Sequence, residues 1–104
     1  MSEKRRFPRV ELNSTVLIAA PRGGYLAEVH DLSLGGARVS RPLEWMHSLG
    51  EGFRLFFIFD QDTVIELTGD LIRQTDSDLA FLFHAGQDED AGRLMYETRF
   101  AASL

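Results

Sequence analysis

FRLFFIF at residues 53–59 carries the strongest strand signal in the chain, and the polar triplet DQD follows it directly at 60–62. Aromatic and branched residues at this density favour a strand whose side chains enter a core. A second long strand is predicted directly after the triplet, at residues 64–74. Two strands joined by so short a polar connection pair as an antiparallel hairpin. The stretch therefore predicts an antiparallel β protein.

Four shorter stretches, each bounded by Gly, Pro, Asp or Ser, predict further strands at 16–20, 25–30, 37–40 and 79–83. In the second of these, Tyr25, Ala27 and Val29 share one face, as expected for a half-buried strand. Gly69 interrupts the long strand and predicts a bulge or bend there. Six short strands with polar turns indicate an all-β sandwich or barrel, and its last three strands form a meander.

The pattern changes to helical spacing near the C-terminus. Three acidic residues, Asp88, Glu89 and Asp90, favour a helix start. Ala91, Leu94, Met95 and Phe100 then recur on one face. We predict a helix over residues 88–104 that covers an open end or face of the β structure.

Length and charge narrow the classes of function. A chain of 104 residues predicts a single domain over 1–104, and the absence of cysteine excludes disulfides and thiolate metal sites. Residues 1–9 hold four cations and one anion, a net charge of +3, whereas residues 10–104 hold seven cations and fifteen anions, a net charge of −8. An acidic body repels a long nucleic acid, while a local basic segment suits a small anion. Neither a signal peptide nor a membrane-inserting segment is expected.

The basic segment carries arginines at a spacing that suits one compact ligand. Arg5 and Arg9 are four residues apart, with Arg6 between them. A guanidinium group can form forked bonds to phosphate oxygens, stack on a base, or donate to guanine O6 and N7. We predict a flexible ligand-binding arm at residues 1–10. Taken alone, such a basic terminus favours a solvated, disordered tail, and the arm is predicted only because a second motif accompanies it.

A second polar element, DLSLGG at 31–36, predicts a turn or bulge. The Asp31 carboxylate matches the N1–H and N2–H₂ edge of guanine, but it could equally hold an arm arginine. Ser33 can bond to phosphate or base, or simply cap the turn. Gly35 and Gly36 are expected to supply positive φ and to let the backbone approach a ligand closely.

Taken together, the two elements resemble the motifs of the PilZ domain family, the bacterial receptor modules for cyclic di-GMP. The family's Arg-x-x-x-Arg element is matched by Arg5 and Arg9. Its Asp/Asn-x-Ser-x-x-Gly element is matched by Asp31, Ser33 and Gly36. The resemblance implies a six-stranded antiparallel β-barrel over residues 11–85, with the arm wrapping a ligand on the barrel surface.

The predicted ligand site comprises Arg5, Arg6, Arg9, Asp31, Ser33, Gly35 and Gly36, with Lys4 and Arg38 as further candidates. Lys4 stands where some family members carry another arginine that is associated with binding a stacked pair of ligands, so one or two ligands per chain stays open. Ala80 stands where a glycine is usual in the family, and a small packing change is expected there.

The resemblance implies a cytoplasmic receptor that needs no cofactor and signals to an effector protein when the ligand orders the arm. The alternative is a PilZ-fold protein-interaction module with weak or no cyclic di-GMP binding. No enzyme is expected, because His30, Asp31 and Ser33 sit on a strand whose successive residues point to opposite faces and so do not form a triad. The three histidines lack metal-ligand spacing, and no metal site is predicted.

Overall fold

The fold is that of a computed structural model, which describes residues 14–102 and the side chains through residue 98. Six strands precede one helix, and their bounds are β1 (Thr15–Ala20), β2 (Gly23–Leu32), β3 (Gly36–Ser40), β4 (Gly52–Asp60), β5 (Thr63–Gln74), β6 (Asp78–Phe83) and α1 (Asp88–Ala102). The strands close in the order β1-β2-β3-β6-β5-β4, and every neighbouring pair is antiparallel.

This architecture confirms the predicted six-stranded barrel with a C-terminal helix. The consecutive pairing of β4, β5 and β6 confirms the predicted meander. The predicted arm at residues 1–10 and the predicted first barrel residues, 11–13, lie outside the described residues.

The barrel interior is filled by alternate residues of each strand. In β4, Leu55 and Phe57 are fully buried, and they pair with the equally buried Leu67 and Ile65 of β5. Trp45, from the long connection between β3 and β4, is only 5% exposed and donates from Nε1 to Gln74 Oε1 at 3.1 Å. The aromatic density of residues 53–59 therefore serves the core, as its pattern predicted.

Three register shifts interrupt the regular pairing of the strands. They lie between Val29 and Asp31 in β2, between Ile58 and Asp60 in β4, and between Leu71 and Arg73 in β5. The prediction of a bulge at Gly69 was wrong, since Gly69 pairs regularly with Phe53 and Phe83. A Cβ atom at Gly69 would lie 2.7 Å from the carbonyl oxygen of Leu82. The glycine is needed because β5 and β6 approach closely.

Helix α1 is fastened to β5 at its first turn. The Gln87 carbonyl accepts a hydrogen bond from Ala91 N–H at 2.8 Å. The Gln87 side chain donates from Nε2 to Thr68 O at 2.9 Å and accepts from Thr68 N–H at 2.8 Å. Ala91 and Leu94 are buried, and the helix packs on β5 as predicted. The predicted contribution of Phe100 lies outside the described side chains.

Glu51 fastens the connection between β3 and β4. Its carboxylate accepts a hydrogen bond from Ser48 N–H at 2.7 Å and contacts His47 Nδ1 at 2.9 Å. The hydrogen bond from Ser48, followed by that from His47, lowers the pKa of Glu51. Because folding lowers this pKa, the ionised carboxylate stabilises the fold above its unfolded pKa of about 4.3. That contribution is lost as the pH falls through the lower folded pKa.

Glu51→Gln is therefore expected to lower the urea midpoint of unfolding near neutral pH, relative to the parent chain. The difference should shrink as the pH falls through the folded pKa of Glu51, because the protonated carboxyl no longer differs from the amide in charge. Glu44→Gln is the control, since Glu44 lies on the same connection and accepts no hydrogen bond from the described residues. A midpoint difference that is constant with pH would contradict the assignment.

Candidate functional site

The second predicted motif lies at the hairpin between β2 and β3, and its turn is shorter than predicted. Asp31 and Leu32 belong to β2 and Gly36 begins β3, so residues 33–35 alone make the connection. Ser33 N–H donates to Gly36 O at 2.9 Å. Ser33 Oγ accepts from Gly35 N–H at 3.3 Å and from Gly36 N–H at 3.2 Å. In the described structure, Ser33 therefore caps the turn.

The two glycines of the motif differ in what the fold demands of them. A Cβ atom at Gly36 would overlap the carbonyl oxygen of Phe81 on β6, whereas nothing lies within 4 Å of a Cβ at Gly35. Neither residue has positive φ, so that prediction was wrong. Gly36 is required because β3 and β6 approach closely in the closed barrel. Gly35 stays open to solvent, and its carbonyl accepts a hydrogen bond from Phe83 N–H at 2.8 Å.

Four charged or titratable side chains meet on the outer surface beside this turn. Arg38 donates to Asp31 Oδ2 from Nη2 at 2.7 Å and from Nε at 3.1 Å. Its third nitrogen, Nη1, donates to Asp78 Oδ2 at 3.2 Å. His30 Nδ1 lies 2.9 Å from Asp78 Oδ1. We call His30, Asp31, Arg38 and Asp78 the site network.

The bulge in β2 creates this network. Val29 faces the core, whereas His30 and Asp31 after it are both exposed. The prediction that successive residues here point to opposite faces was therefore wrong. That prediction was the reason for not expecting a triad of His30, Asp31 and Ser33. His30 bonds to Asp78, and the Ser33 hydroxyl is engaged within its own turn.

The site network is partly exposed and holds more negative than positive charge. The exposed fraction of the side chain is 54% for Asp31, 40% for Arg38, 33% for His30 and 26% for Asp78. Two carboxylates face one guanidinium group, which leaves one negative charge before His30 is counted. The hydrogen bond to Asp31 is the largest of the effects that raise the pKa of Arg38. Arg38 therefore stays charged. The other oxygen of the Asp31 carboxylate, Oδ1, accepts no hydrogen bond from the described residues.

Of the predicted site residues, the structure brings together Asp31 and Arg38, beside the turn of Ser33, Gly35 and Gly36. The other predicted residues, Lys4, Arg5, Arg6 and Arg9, lie outside the described residues. Sequence reasoning missed Asp78 and gave His30 no part in the ligand site. No pattern in the sequence links them, because Asp78 belongs to β6 and meets β3 only when the barrel closes.

The chain enters the barrel next to the site network. Ser14 is 5% exposed, and its carbonyl accepts a hydrogen bond from Val29 N–H at 3.1 Å. Val29 is two residues before Asp31. Ser14 is therefore held beside the part of β2 that leads into the predicted motif turn.

Two other polar clusters share no residue with the site network. His47 lies between Tyr25 Oη at 3.3 Å and Glu51, and His84 lies between Thr68 and Asp70. Two open clefts of about 430 and 520 Å³ adjoin the connection between β1 and β2, and neither includes a residue of the site network. Across residues 14–98, no three metal-ligating side chains come together.

The described residues thus form a closed antiparallel barrel with a filled interior and a half-exposed polar network on its outer surface, beside a tight turn. The PilZ domain family model matches residues 3–97, and the chain belongs to the PilZ domain family. PilZ domains are generally receptors for cyclic di-GMP and act as binding modules. No helix in the described part of the chain is long and apolar enough to cross a membrane.

Two solved structures share the fold. The PilZ domain of CeSA from a cellulose-synthesising bacterium is 20% identical, with a TM-score of 0.65, and the match covers 85% of this chain and 94% of that one. An uncharacterised Legionella protein is 18% identical, with a TM-score of 0.51 and coverage of 82% and 84%. At these identities the likeness shows the fold alone. No curated protein matches the chain.

Proposed function

We propose that this PilZ domain is a receptor that binds cyclic di-GMP between its N-terminal arm and the site network. The observation that carries the proposal is the Asp31–Arg38 pair, which stands half-exposed beside the Ser33–Gly36 turn. This pair offers a carboxylate and a guanidinium group side by side on one surface. The carboxylate matches the N1–H and N2–H₂ edge of a guanine base, and the guanidinium group holds that carboxylate in place.

Asp31 is the proposed partner of a guanine base. Arg38 occupies only Oδ2 of the carboxylate, and an ionised carboxylate can accept about four hydrogen bonds. The guanine N1–H and N2–H₂ donors can therefore reach Asp31 without displacing Arg38. In this arrangement the Arg38 guanidinium fixes the plane of the carboxylate that reads the base.

The phosphates require cations that the site network does not supply. The site network has an excess of carboxylate, and residues 10–104 carry a net charge of −8. The arm cations Lys4, Arg5, Arg6 and Arg9 supply the opposite charge. We propose that Arg5 and Arg9 form forked bonds to the phosphates and that Arg6 stacks on or bonds to a guanine.

The chain geometry supports this role for the arm. Four residues lie between Arg9 and Ser14, and an extended chain spans at most about 18 Å over the five residue steps from one to the other. Ser14 is held beside Val29, close to the bulge that carries His30 and Asp31. The Arg9 backbone therefore stays within reach of the site network, and the long arginine side chain adds further reach.

Binding of cyclic di-GMP is proposed to order the arm and to change the surface that an effector protein reads in the cytoplasm. Isothermal titration of the purified protein with cyclic di-GMP at physiological salt tests the proposal. Saturable binding at micromolar or lower concentration, about 8 kcal/mol or more, is expected. The stoichiometry decides between one and two ligands per chain, the question raised by Lys4. No binding by titration and by a second probe would favour the protein-interaction module.

Asp31→Asn is expected to weaken cyclic di-GMP binding by about tenfold, because it removes a charged acceptor of guanine hydrogen bonds. The free energy of unfolding should change by less than about 1 kcal/mol, since the Asp31–Arg38 pair is exposed. Asp62→Asn, on the turn between β4 and β5, is the control with the same charge change. Equal affinities of the two variants would remove Asp31 from the proposed site.

A further inference from the structure

Asp78 is the least exposed member of the site network, and it contacts two of the other three. Its Oδ2 accepts from Arg38 Nη1 at 3.2 Å, and its Oδ1 lies 2.9 Å from His30 Nδ1. Asp31 is not among its partners. Asp78 therefore holds Arg38 from the edge of the guanidinium group that Asp31 leaves free.

The backbone of Asp78 is fixed at the start of β6. Its N–H donates to Thr75 Oγ1 at 3.0 Å, and its carbonyl accepts from Thr75 N–H at 2.9 Å. Ser77 Oγ adds a contact to Oδ2 at 3.4 Å. The strand register sets Asp78 opposite Ser40 and Ala80 opposite Arg38. Because the Asp78 backbone is held in this way, its carboxylate is well placed to hold the Arg38 side chain, which extends from β3.

We infer that Asp78 is a positioning residue of the ligand site: it holds the Arg38 guanidinium, and through it the Asp31 carboxylate, in the orientation that receives a guanine base. This inference rests on the proposed function. Arg38 bonds to both carboxylates through three different nitrogens, so its plane is fixed from both edges. Without Asp78, only Asp31 would hold it, and the pair would turn together in solvent. Asp78 acts on the ligand through its neighbours and makes no contact with it.

Asp78→Asn is expected to weaken cyclic di-GMP binding by about fivefold, in the range of a partly exposed ion pair. Asp76→Asn is the matched control, because Asp76 is exposed on the same turn and has no hydrogen bond or ion pair among the described contacts. Its affinity should equal that of the parent chain. A loss in both variants would show a general charge effect and overturn the inference.

A double-mutant cycle separates positioning from a merely structural role. If Asp78 acts through Arg38 and Asp31, the double variant Asp31→Asn with Asp78→Asn should bind no more weakly than Asp31→Asn alone. Arg38→Lys keeps the charge but loses the fork, and it should show the same loss and the same lack of additivity. It also serves as the second variant if Asp78→Asn fails to fold. Fully additive losses would overturn the inference.

A spectroscopic readout keeps this inference distinct from the proposed function. The Arg38 Nε–H resonance should be resolved and slow to exchange in the parent chain and in Asp76→Asn, and averaged in Asp78→Asn. If the parent chain binds no cyclic di-GMP, the proposed function fails while the resonance still tests the role of Asp78. An unchanged Arg38 resonance in Asp78→Asn would overturn the positioning role, whatever the ligand result.

Discussion

Arg9→Ala is expected to weaken cyclic di-GMP binding by about a hundredfold or more, while the free energy of unfolding changes by less than about 0.5 kcal/mol. The proposal gives Arg9 a forked, charge-assisted contact with a phosphate, and two hydrogen bonds to a charged group contribute about 1.5–3 kcal/mol each. Loss of both corresponds to at least two decades in affinity. Titration of the variant with cyclic di-GMP, beside a urea unfolding curve, measures both quantities.

Two control variants separate the arm from general charge. Arg22→Ala removes the same charge from the turn between β1 and β2, at the far end of β2 from Asp31, and should bind like the parent chain. Arg9→Lys keeps the charge without the fork and should fall between the parent chain and the alanine variant. Binding of Arg9→Ala with parental affinity would show that the proposed arm mechanism is wrong.

The strand positions were predictable because they depend on local sequence. Alternation over residues 25–30 and the aromatic run at 53–59 report burial directly, and both predicted strands lie within β2 and β4. Polar turns separated the strands of the meander, so that their consecutive pairing followed as well. The PilZ motifs then favoured a barrel where the strand pattern alone left a sandwich open.

The site network was not predictable, because it depends on register. A single extra residue in β2 turns both His30 and Asp31 outward, and the turn or bulge predicted at 31–36 did not include His30. Asp78 joins the network because β3 pairs with β6, a contact between strands about forty residues apart in the chain. Strand alternation read from sequence assumes an unbroken register, so it assigned the wrong faces at this point.

The same pairing of β3 with β6 explains why the motif ends in glycine. From sequence, Gly36 was assigned to ligand approach and positive φ. In the structure its φ is not positive, and its missing side chain makes room for the Phe81 carbonyl. Gly36 lies directly opposite Leu82 in the β3–β6 ladder that closes the barrel. The motif therefore combines Asp31, which faces solvent, with a glycine that the barrel itself requires.

Gly36→Ala is expected to destabilise the fold by about 3 kcal/mol, because a backbone carbonyl cannot move aside as a flexible side chain can and the β3–β6 ladder must shift. Urea unfolding followed by the fluorescence of Trp45, the one tryptophan in the chain, measures the loss.

Gly35→Ala is the matched control: its Cβ meets nothing within 4 Å, and a change of less than about 0.5 kcal/mol is expected. If the two variants were equally stable, the close approach of β3 to β6 could not be the reason for the glycine. With the expected result, any loss of cyclic di-GMP binding in Gly36→Ala follows from the displaced turn, whereas a loss in the stable Gly35→Ala variant would report contact with the ligand.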